Sequence, residues 1–395
     1  MPDRKLILVF PFALQSHYLR CLVLVDRYYS GDEYDVRFLQ NADYDHYIRH
    51  SGYETFSCEQ FDVARVMDDS RCFNFSWLNL KDINRIFNSQ VDCILSNRPA
   101  LVIGDMAPTL KMAAEFTGVH YLSLLNGYMT PYCLNCRSLP SKHPSYYYLR
   151  HIPQKILLPL TAFGESRAFR KIHQPFKIIR EKHHLKSVQN YLEEMQGDEN
   201  LICDLPELFP QKNLPANYKF VEPLIYHDPA PDNTWLARID PAKPVIFVCM
   251  GSTGDWEKLK FLNDAQYSAF NIISAGDRST VLTATHIISR PFVNLSSVLA
   301  ISSLMICHGG NGTIYHGLLA GVPMLCLTSH FEQEWNVKAL EKLGYGISAD
   351  DFSEEQWWEH IRMTALRKMT PYFKQKSAEN ATELTEHAAR SRPLF

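Results

Sequence analysis

Short apolar runs alternate with longer amphipathic stretches along this chain, and the alternation starts twice. The runs that predict buried strands in the first half are residues 6–12, 36–39, 101–103 and 121–125, with a predicted helix at 111–116. Those that predict strands in the second half are residues 244–249, 304–307 and 322–327, with helical segments between them. Buried strands that alternate with helices are typical of parallel sheets covered by helices. The sequence therefore predicts an α/β fold.

A proline-rich segment at 222–244 separates the two halves and holds five prolines. Because proline fixes φ and removes a backbone donor, this density predicts a connector and not a packed element. At 395 residues the chain is also too long for one ordinary core. We predict two Rossmann-like domains that face each other across a cleft, at 1–222 and 244–395, with a linker at 223–243. The last helix can pack back on the first domain.

The charge and the cysteines exclude several classes of protein. The net charge of −3 gives no indication of nucleic-acid binding, and no run of about 18 apolar residues predicts a membrane-spanning helix. The ten cysteines have no disulfide-framework spacing, which favours buried thiols in a reducing compartment. Cys133 and Cys136 have C-x-x-C spacing, but no second pair completes a zinc site. A cytoplasmic location is therefore expected.

Residues 150–186 are strongly basic: nine lysines and arginines stand against Glu165 and Glu181, with four histidines added. One interpretation is a solvated helical face. The other is a basic amphipathic surface that meets an acidic acceptor or, by peripheral contact, the inner face of an anionic membrane.

Three glycines, Gly309, Gly310 and Gly312, follow the predicted strand at 304–307 and open an apolar helix. Glycine lets the backbone approach a ligand closely. The helix presents free N–H groups and the positive end of its dipole, a combination suited to a diphosphate. The turn alone is not specific, because any tight strand-to-helix connection can use glycine.

Polar side chains beside this turn extend the predicted site. His308 can donate an imidazole hydrogen bond to the diphosphate, and Thr313 can either cap the helix or donate its hydroxyl. Glu332 and Gln333 follow the next predicted strand, where an acid and an amide together can bind the vicinal hydroxyls of a sugar. Taken alone, that pair is better explained as the ordinary polar start of a surface helix.

The segment 308–333 resembles the donor signature of the family 1 glycosyltransferases, which have the GT-B fold. The family pattern is H-G-G-x-G-T-x-x-E-A-L-x-x-G-V-P with a later acid–Gln pair. This chain reads H-G-G-N-G-T-I-Y-H-G-L-L-A-G-V-P, and Glu332 comes 24 positions after His308. The similarity extends over about 221–349, including the strand and Gly-Ser turn at 244–252.

The resemblance implies roles for individual residues in donor binding. The residues implied in diphosphate binding are Ser252, Thr253, His308, Gly309, Gly310, Asn311, Gly312 and Thr313. Those implied for the nucleoside are Phe292, Val293 and His316, and those for the sugar are Glu332 and Gln333. His316 stands where the family has a glutamate that binds the ribose hydroxyls. A histidine there can bond a hydroxyl or be an inert helix residue.

In the resembling family, a histidine after the first strand acts as the base and an aspartate from a later strand end orients it. The matching residues here are His17 and Asp105. The family's G-H-x-x-P is S-H-Y-L-R at residues 16–20, without the glycine or the proline. The alternative is that His17 is an ordinary polar residue at the end of a strand loop.

Together these features predict an inverting, metal-independent glycosyltransferase. It would move a hexose-type sugar from a UDP- or dTDP-linked donor to a small-molecule or lipid-like hydroxyl acceptor. No metal and no cofactor besides the donor is expected, because helix N–H groups and His308 can stabilise the leaving diphosphate. Two alternatives stay open: an inactive GT-B scaffold or regulatory subunit, and a sugar-nucleotide epimerase.

Overall fold

The computed structural model describes residues 4–71, 74–134, 137–141, 143–227, 233–251, 254–276 and 281–365. The chain divides into two compact units, one ending at Tyr226 and the other beginning at His227. Each unit consists of one parallel β-sheet with helices, as the alternation of the sequence predicts.

The first unit contains a seven-stranded parallel sheet with the order β3-β2-β1-β4-β5-β6-β7. Its strands are β1 (Lys5–Pro11), β2 (Tyr34–Leu39), β3 (Glu54–Phe56), β4 (Leu101–Asp105), β5 (His120–Leu125), β6 (Glu199–Ile202) and β7 (Tyr218–Phe220). Its helices are α1 (Gln15–Tyr28), α2 (Asp45–His50), α3 (Val63–Arg71), α4 (Leu80–Asn97), α5 (Leu110–Thr117), α6 (Tyr146–Leu149), α7 (Gln154–Ile172), α8 (Gln174–Lys182) and α9 (Tyr191–Glu194).

The second unit contains a six-stranded parallel sheet with the order β10-β9-β8-β11-β12-β13. Its strands are β8 (Val245–Cys249), β9 (Asn271–Ala275), β10 (Ile287–Arg290), β11 (Ser302–Cys307), β12 (Met324–Cys326) and β13 (Gly346–Ser348). Its helices are α10 (Leu295–Ile301), α11 (Asn311–Ala320), α12 (Phe331–Lys342) and α13 (Glu354–Thr364).

Burial explains why the central strands are continuous apolar runs. Every residue of β4 is buried, and so are the last five of β1 and the first four of β8. When helices cover both faces of a sheet, every side chain of a central strand is buried. Such strands therefore do not alternate between apolar and polar residues. The predicted strands and the helix at 111–116 are all present, with bounds that differ by at most two residues.

The strand order reverses at the same place in both units. The chain moves outward in one direction from β1 to β3 and then returns to place β4 on the other side of β1; β8 and β11 are related in the same way. Ligands of open α/β sheets bind outside the carboxyl ends of the strands at this reversal point. Each unit therefore offers one defined edge for a site.

The predicted linker is not a connector along its whole length. Trp235 is buried within a short helical turn, Thr234–Arg238, and Arg290 lies over its ring at 5.4 Å from the centroid. The prolines stop regular helices and strands, as expected, but they do not prevent a large aromatic side chain from packing.

The basic region forms α7 and α8, and its charges do not all face solvent. Arg180 is buried and donates to Glu194 and to Glu115, each at 2.6 Å. His173, also buried, lies 2.6 Å from the same Glu194 carboxylate. These two basic residues therefore hold the helices against α9 and α5. Most of the other basic residues of the two helices are exposed.

Two further expectations can be compared with the structure. None of the helices in the described ranges is long and apolar enough to cross a bilayer. Cys21, Cys203, Cys307 and Cys326 are buried free thiols, as expected, whereas Cys133 is disulfide-bonded and departs from the expectation of thiols throughout.

Candidate active site

The second unit presents its site where β11 runs into α11. His308 follows the strand directly, Gly309 has a φ of +78°, and Gly310 is the N-cap residue of α11. A positive φ is strained for residues with a side chain, so Gly309 makes the sharp reversal possible. The three residues aim the first turn of α11 at the reversal point between β8 and β11.

His308 lies between two glycines that leave no room for a side chain. A Cβ added to Gly310 would stand 2.3 Å from Nε2 of His308, and one added to Gly251 would stand 2.7 Å from Cε1. Both distances are shorter than van der Waals contact. Glycine at both positions therefore makes room for the imidazole ring beside the start of α11.

His308 is neutral at physiological pH. Burial is the main cause that lowers its pKa to about 4, and the nearby His330 lowers it further. A hydrogen bond with the Cys249 backbone acts in the opposite direction and is outweighed. A neutral imidazole can donate one hydrogen bond to an anion, but it supplies no charge. The positive potential must come from the helix terminus.

One part of the Thr313 prediction is wrong. Gly310, and not Thr313, is the N-cap residue, and no side chain caps the helix. Thr313 is the third residue of α11, and its hydroxyl contacts the Cys249 thiol at the end of β8. The N-cap residue therefore offers no side-chain acceptor to the amides of the first turn.

Glu332 and Gln333 lie in the first turn of α12, directly after the loop that follows β12. Gln333 is buried, and its Oε1 accepts a 2.6 Å hydrogen bond from the Ser329 amide. Further along α12, the buried Asn336 donates through Nδ2 to the Gly309 carbonyl at 3.1 Å. The helix with the predicted sugar-binding pair is thus attached to the predicted diphosphate turn. Asn336 was not predicted from the sequence.

The residues predicted for the nucleoside lie around α10 and α11. His316 is largely buried, and its pKa is lowered to about 4 by burial and by the neighbouring His227. Nδ1 of His227 lies 3.0 Å from the hydroxyl of Ser296, in the first turn of α10. Phe292, in the loop before α10, is 74% exposed. The structure therefore adds His227 to this group, and the adjacent Val293 is partly buried.

Two of the predicted diphosphate residues, Ser252 and Thr253, lie outside the described residues. Gly251, just before them, has a φ of +55°.

The first unit brings His17 and Asp105 together, as predicted. Asp105 ends β4 and is completely buried, and His17 lies in the first turn of α1, after β1. Nδ1 of His17 lies 2.8 Å from Oδ1 of Asp105, and this contact helps to keep Asp105 ionised. The pair occupies the reversal point between β1 and β4, where a site is expected.

A third residue, Arg20, joins this pair. Its Nε and Nη2 donate to the two carboxylate oxygens of Asp105, and its Nη1 donates to Oδ1 of Asn126 at 2.5 Å. Burial acts to raise the pKa of Asp105, but the Arg20 guanidinium outweighs it and, with His17, lowers that pKa to about 2. Asp105 is therefore a fixed anion.

Comparison with known proteins shows what the sequence is similar to. Residues 245–390 match the glycosyltransferase family 28 C-terminal domain. The chain is also 23% identical over 354 residues to a PGL/p-HBAD biosynthesis rhamnosyltransferase of Mycobacterium bovis (strain BCG / Pasteur 1173P2), covering 87% of this chain and 76% of that protein. These matches support a glycosyltransferase with the GT-B fold.

Solved glycosyltransferase structures share the fold of this chain. The glycosyltransferase VinC in complex with DTDP superimposes with a TM-score of 0.64 at 18% identity and covers 98% of each chain. Spinosyn Rhamnosyltransferase SpnG superimposes with a TM-score of 0.63 at 16% identity and covers 97% of this chain and 96% of its own. At these identities the likeness concerns the fold alone.

Proposed function

We propose that this GT-B glycosyltransferase moves a hexose-type sugar from a nucleoside-diphosphate donor to a hydroxyl group, with dTDP-rhamnose as the first donor to test. The carrying observation is that His308 lies between Gly251 and Gly310 at the start of α11. Rhamnose is the first choice because two of the similar proteins are rhamnosyltransferases, and thymidine because VinC was solved with DTDP. UDP-linked donors are the second choice.

In this proposal the donor diphosphate binds the first turn of α11. The amides of Gly312 and Thr313 and the imidazole of His308 donate to its oxygens. These donors also stabilise the charge that develops when the diphosphate leaves, so the transfer needs no divalent ion. No cofactor besides the donor is proposed. Ser252 and Thr253 complete the diphosphate site by resemblance.

The sugar is assigned to α12, and the nucleoside to His316, further along α11 itself. Glu332 and Gln333 would bind the sugar hydroxyls, and the contact of Asn336 with Gly309 supports this by tying α12 to the diphosphate turn. His316 would bond a ribose hydroxyl in place of the family's glutamate. Because its pKa is lowered to about 4, it would do so as a neutral imidazole.

For the chemical step, His17 would take the proton of the acceptor hydroxyl while that oxygen attacks the anomeric carbon. The bond to the diphosphate breaks on the opposite face, so the anomeric configuration inverts. Asp105 keeps the imidazole in one tautomer and stabilises the imidazolium that forms. The 2.8 Å approach of His17 Nδ1 to Asp105 supports this assignment.

The acceptor is proposed to be a small or lipid-like alcohol in the cytoplasm, with peripheral membrane contact through residues 150–186. Ile156, Leu160 and Phe163 of α7 are 59%, 46% and 60% exposed and lie on one helix face. Arg167, one turn after Phe163, is also exposed. Exposed apolar residues beside basic ones are suited to an anionic lipid surface.

Donor binding and transfer should both survive removal of divalent ions. We expect dTDP to raise the melting temperature of the full chain, since binding to the folded state stabilises it. Transfer from dTDP-rhamnose to a panel of alcohols should continue in EDTA, and the NMR spectrum of the product should show inversion. His17→Ala should lower kcat roughly 10²- to 10⁴-fold with dTDP binding unchanged, because only the base is removed.

Other outcomes distinguish the alternatives. Strict dependence on Mg²⁺ or Mn²⁺ contradicts the diphosphate assignment. Binding of dTDP or UDP without transfer or donor hydrolysis favours an inactive scaffold. A new sugar nucleotide formed from the donor alone indicates an epimerase.

A further inference from the structure

We propose that Arg20 is a positioning residue of the transfer reaction, which holds Asp105 as an ionised, immobile partner for His17 and limits the proton affinity of that pair. This inference rests on the proposed function, because it assigns a role beside the proposed base. Arg20 stands where the family pattern G-H-x-x-P has a proline, a residue that offers neither a charge nor a hydrogen-bond donor.

The contacts of Arg20 place it inside the site. Its side chain is 10% exposed, and the Asp105 carboxylate with which it forms a two-armed pair is 0% exposed. The third nitrogen, Nη1, bonds Asn126, whose Nδ2 in turn donates to the Tyr128 hydroxyl at 2.7 Å. A guanidinium held at three nitrogens fixes the plane of the carboxylate.

Arg20 and His17 share one oxygen of Asp105. Arg20 Nη2 and His17 Nδ1 both approach Oδ1, whereas Oδ2 faces Arg20 Nε and, at 3.9 Å, the Cys21 thiol. The guanidinium therefore occupies hydrogen-bonding positions that a simple His–Asp pair leaves to the imidazole.

The net charge of Arg20, Asp105 and His17 together shows how Arg20 affects proton uptake. With His17 neutral, the Arg20–Asp105 pair has no net charge; proton uptake by His17 makes the group of three positive. Without Arg20, the same uptake would neutralise a buried carboxylate, which is far more favourable. Arg20 thus already balances the charge of the Asp105 carboxylate, so a protonated imidazole is not needed to do so.

The other ionisable groups around Asp105 do not replace this effect. The elements packed against it contribute Cys21 from α1, Tyr121 from β5, and Cys203 and Asp204 after β6. Burial raises the pKa of Cys21, Tyr121 and Cys203, so all three are neutral near pH 7. Asp204 is a like charge and accepts from the Gly127 amide. Among the described groups, only Arg20 and His17 favour the Asp105 anion.

The test is the titration of His17 in the full chain, followed by histidine ¹⁵N NMR and assigned with His17→Gln. In Arg20→Met the midpoint of proton uptake should move to higher pH by about 1 unit or more, a tenfold change in proton affinity. Arg20→Lys keeps the charge and should stay within about half a unit of wild type. Arg27→Met, on the same helix but paired with Glu222 at 3.7 Å, is the matched control and should not shift.

A midpoint in Arg20→Met equal to that of wild type overturns the inference. Should Arg20→Met fail to fold, Arg20→Lys decides: lysine has no fork for the two carboxylate oxygens, so kcat should fall at every pH while the dTDP affinity is unchanged. A wild-type kcat in Arg20→Lys contradicts the positioning role. Absence of dTDP binding in the wild type would instead reject the proposed function and leave the NMR result valid.

Discussion

At the scale of single residues, His308 can occupy its position because the neighbouring Gly310 has no side chain. Gly310 has a φ of −67°, which any residue can adopt, so only the imidazole next to it requires glycine at this position. Gly312, two residues further on, has open space where a Cβ would be. The two glycines are alike in sequence and differ in their surroundings.

This difference predicts opposite results for two similar substitutions. Gly310→Ala should lower the free energy of unfolding by about 1–3 kcal/mol, the usual range for overpacking, because its Cβ meets the His308 ring. Gly312→Ala, in the same helix turn, should be neutral or slightly stabilising, since alanine favours a helix. Denaturant unfolding without ligand measures both. Equal losses in the two variants would contradict the packing of His308 described above.

At the scale of elements, apolar runs decided which strands could be predicted. The three-residue β12 lies within such a run, whereas β3, β7 and β13 have the same length and lie outside the predicted runs. The α11 turn was predicted because its glycines and His308 are contiguous in sequence. The helix start at Glu332 and Gln333 was left as an alternative, and the structure shows that α12 does begin there.

At this scale we predict that helix α7 binds an anionic lipid surface. Sedimentation with phosphatidylglycerol vesicles should retain the protein, and phosphatidylcholine vesicles should retain much less, because the basic residues need an anionic surface. Ile156→Ser, Leu160→Ser and Phe163→Ser combined should reduce binding at least about tenfold by removing the apolar face. Leu95→Ser changes a similarly exposed leucine on α4 and serves as the control. Equal retention by both lipids would reject the membrane proposal.

At the scale of the whole molecule, the sequence predicted two α/β units but not the partners that meet across a sheet. Arg20 and Asp105 are 85 residues apart and come together only because β4 lies beside β1. Arg20 departs from the family pattern, but the pattern does not show that Asp105 is its partner. His227 likewise meets Ser296 across 69 residues. Such contacts follow from strand order, which a single sequence does not determine.

The two buried histidines predict how the stability of the whole chain depends on pH. In the folded state the pKa values of His308 and His316 are both lowered to about 4, below the ordinary 6.5. Above pH 6.5 both histidines are neutral in the folded and in the unfolded chain, so their contribution to the free energy of unfolding is fully present. Between pH 6.5 and 4 the unfolded chain binds protons at these histidines and the folded chain does not. The free energy of unfolding should therefore fall over this window.

Urea unfolding at pH 7.5 and 4.5 measures this loss. Replacing both residues, His308→Gln with His316→Gln, should make the loss smaller by on the order of 1–3 kcal/mol, because glutamine does not titrate. His50→Gln, at the end of α2 and exposed, is the control. If the double variant and the wild type lose the same free energy of unfolding, other groups cause the loss of stability at acid pH.

The packing of the proline-rich segment has a practical consequence for anyone who recombines such enzymes. His227 bonds Ser296, and Asn233 donates to Ser297 at 2.9 Å, so both residues belong to the unit that follows them. A chimera joined at residue 244 would replace these two with residues from a foreign parent and leave α10 with mismatched neighbours. A crossover placed before His227 keeps each inherited half with its own contacts.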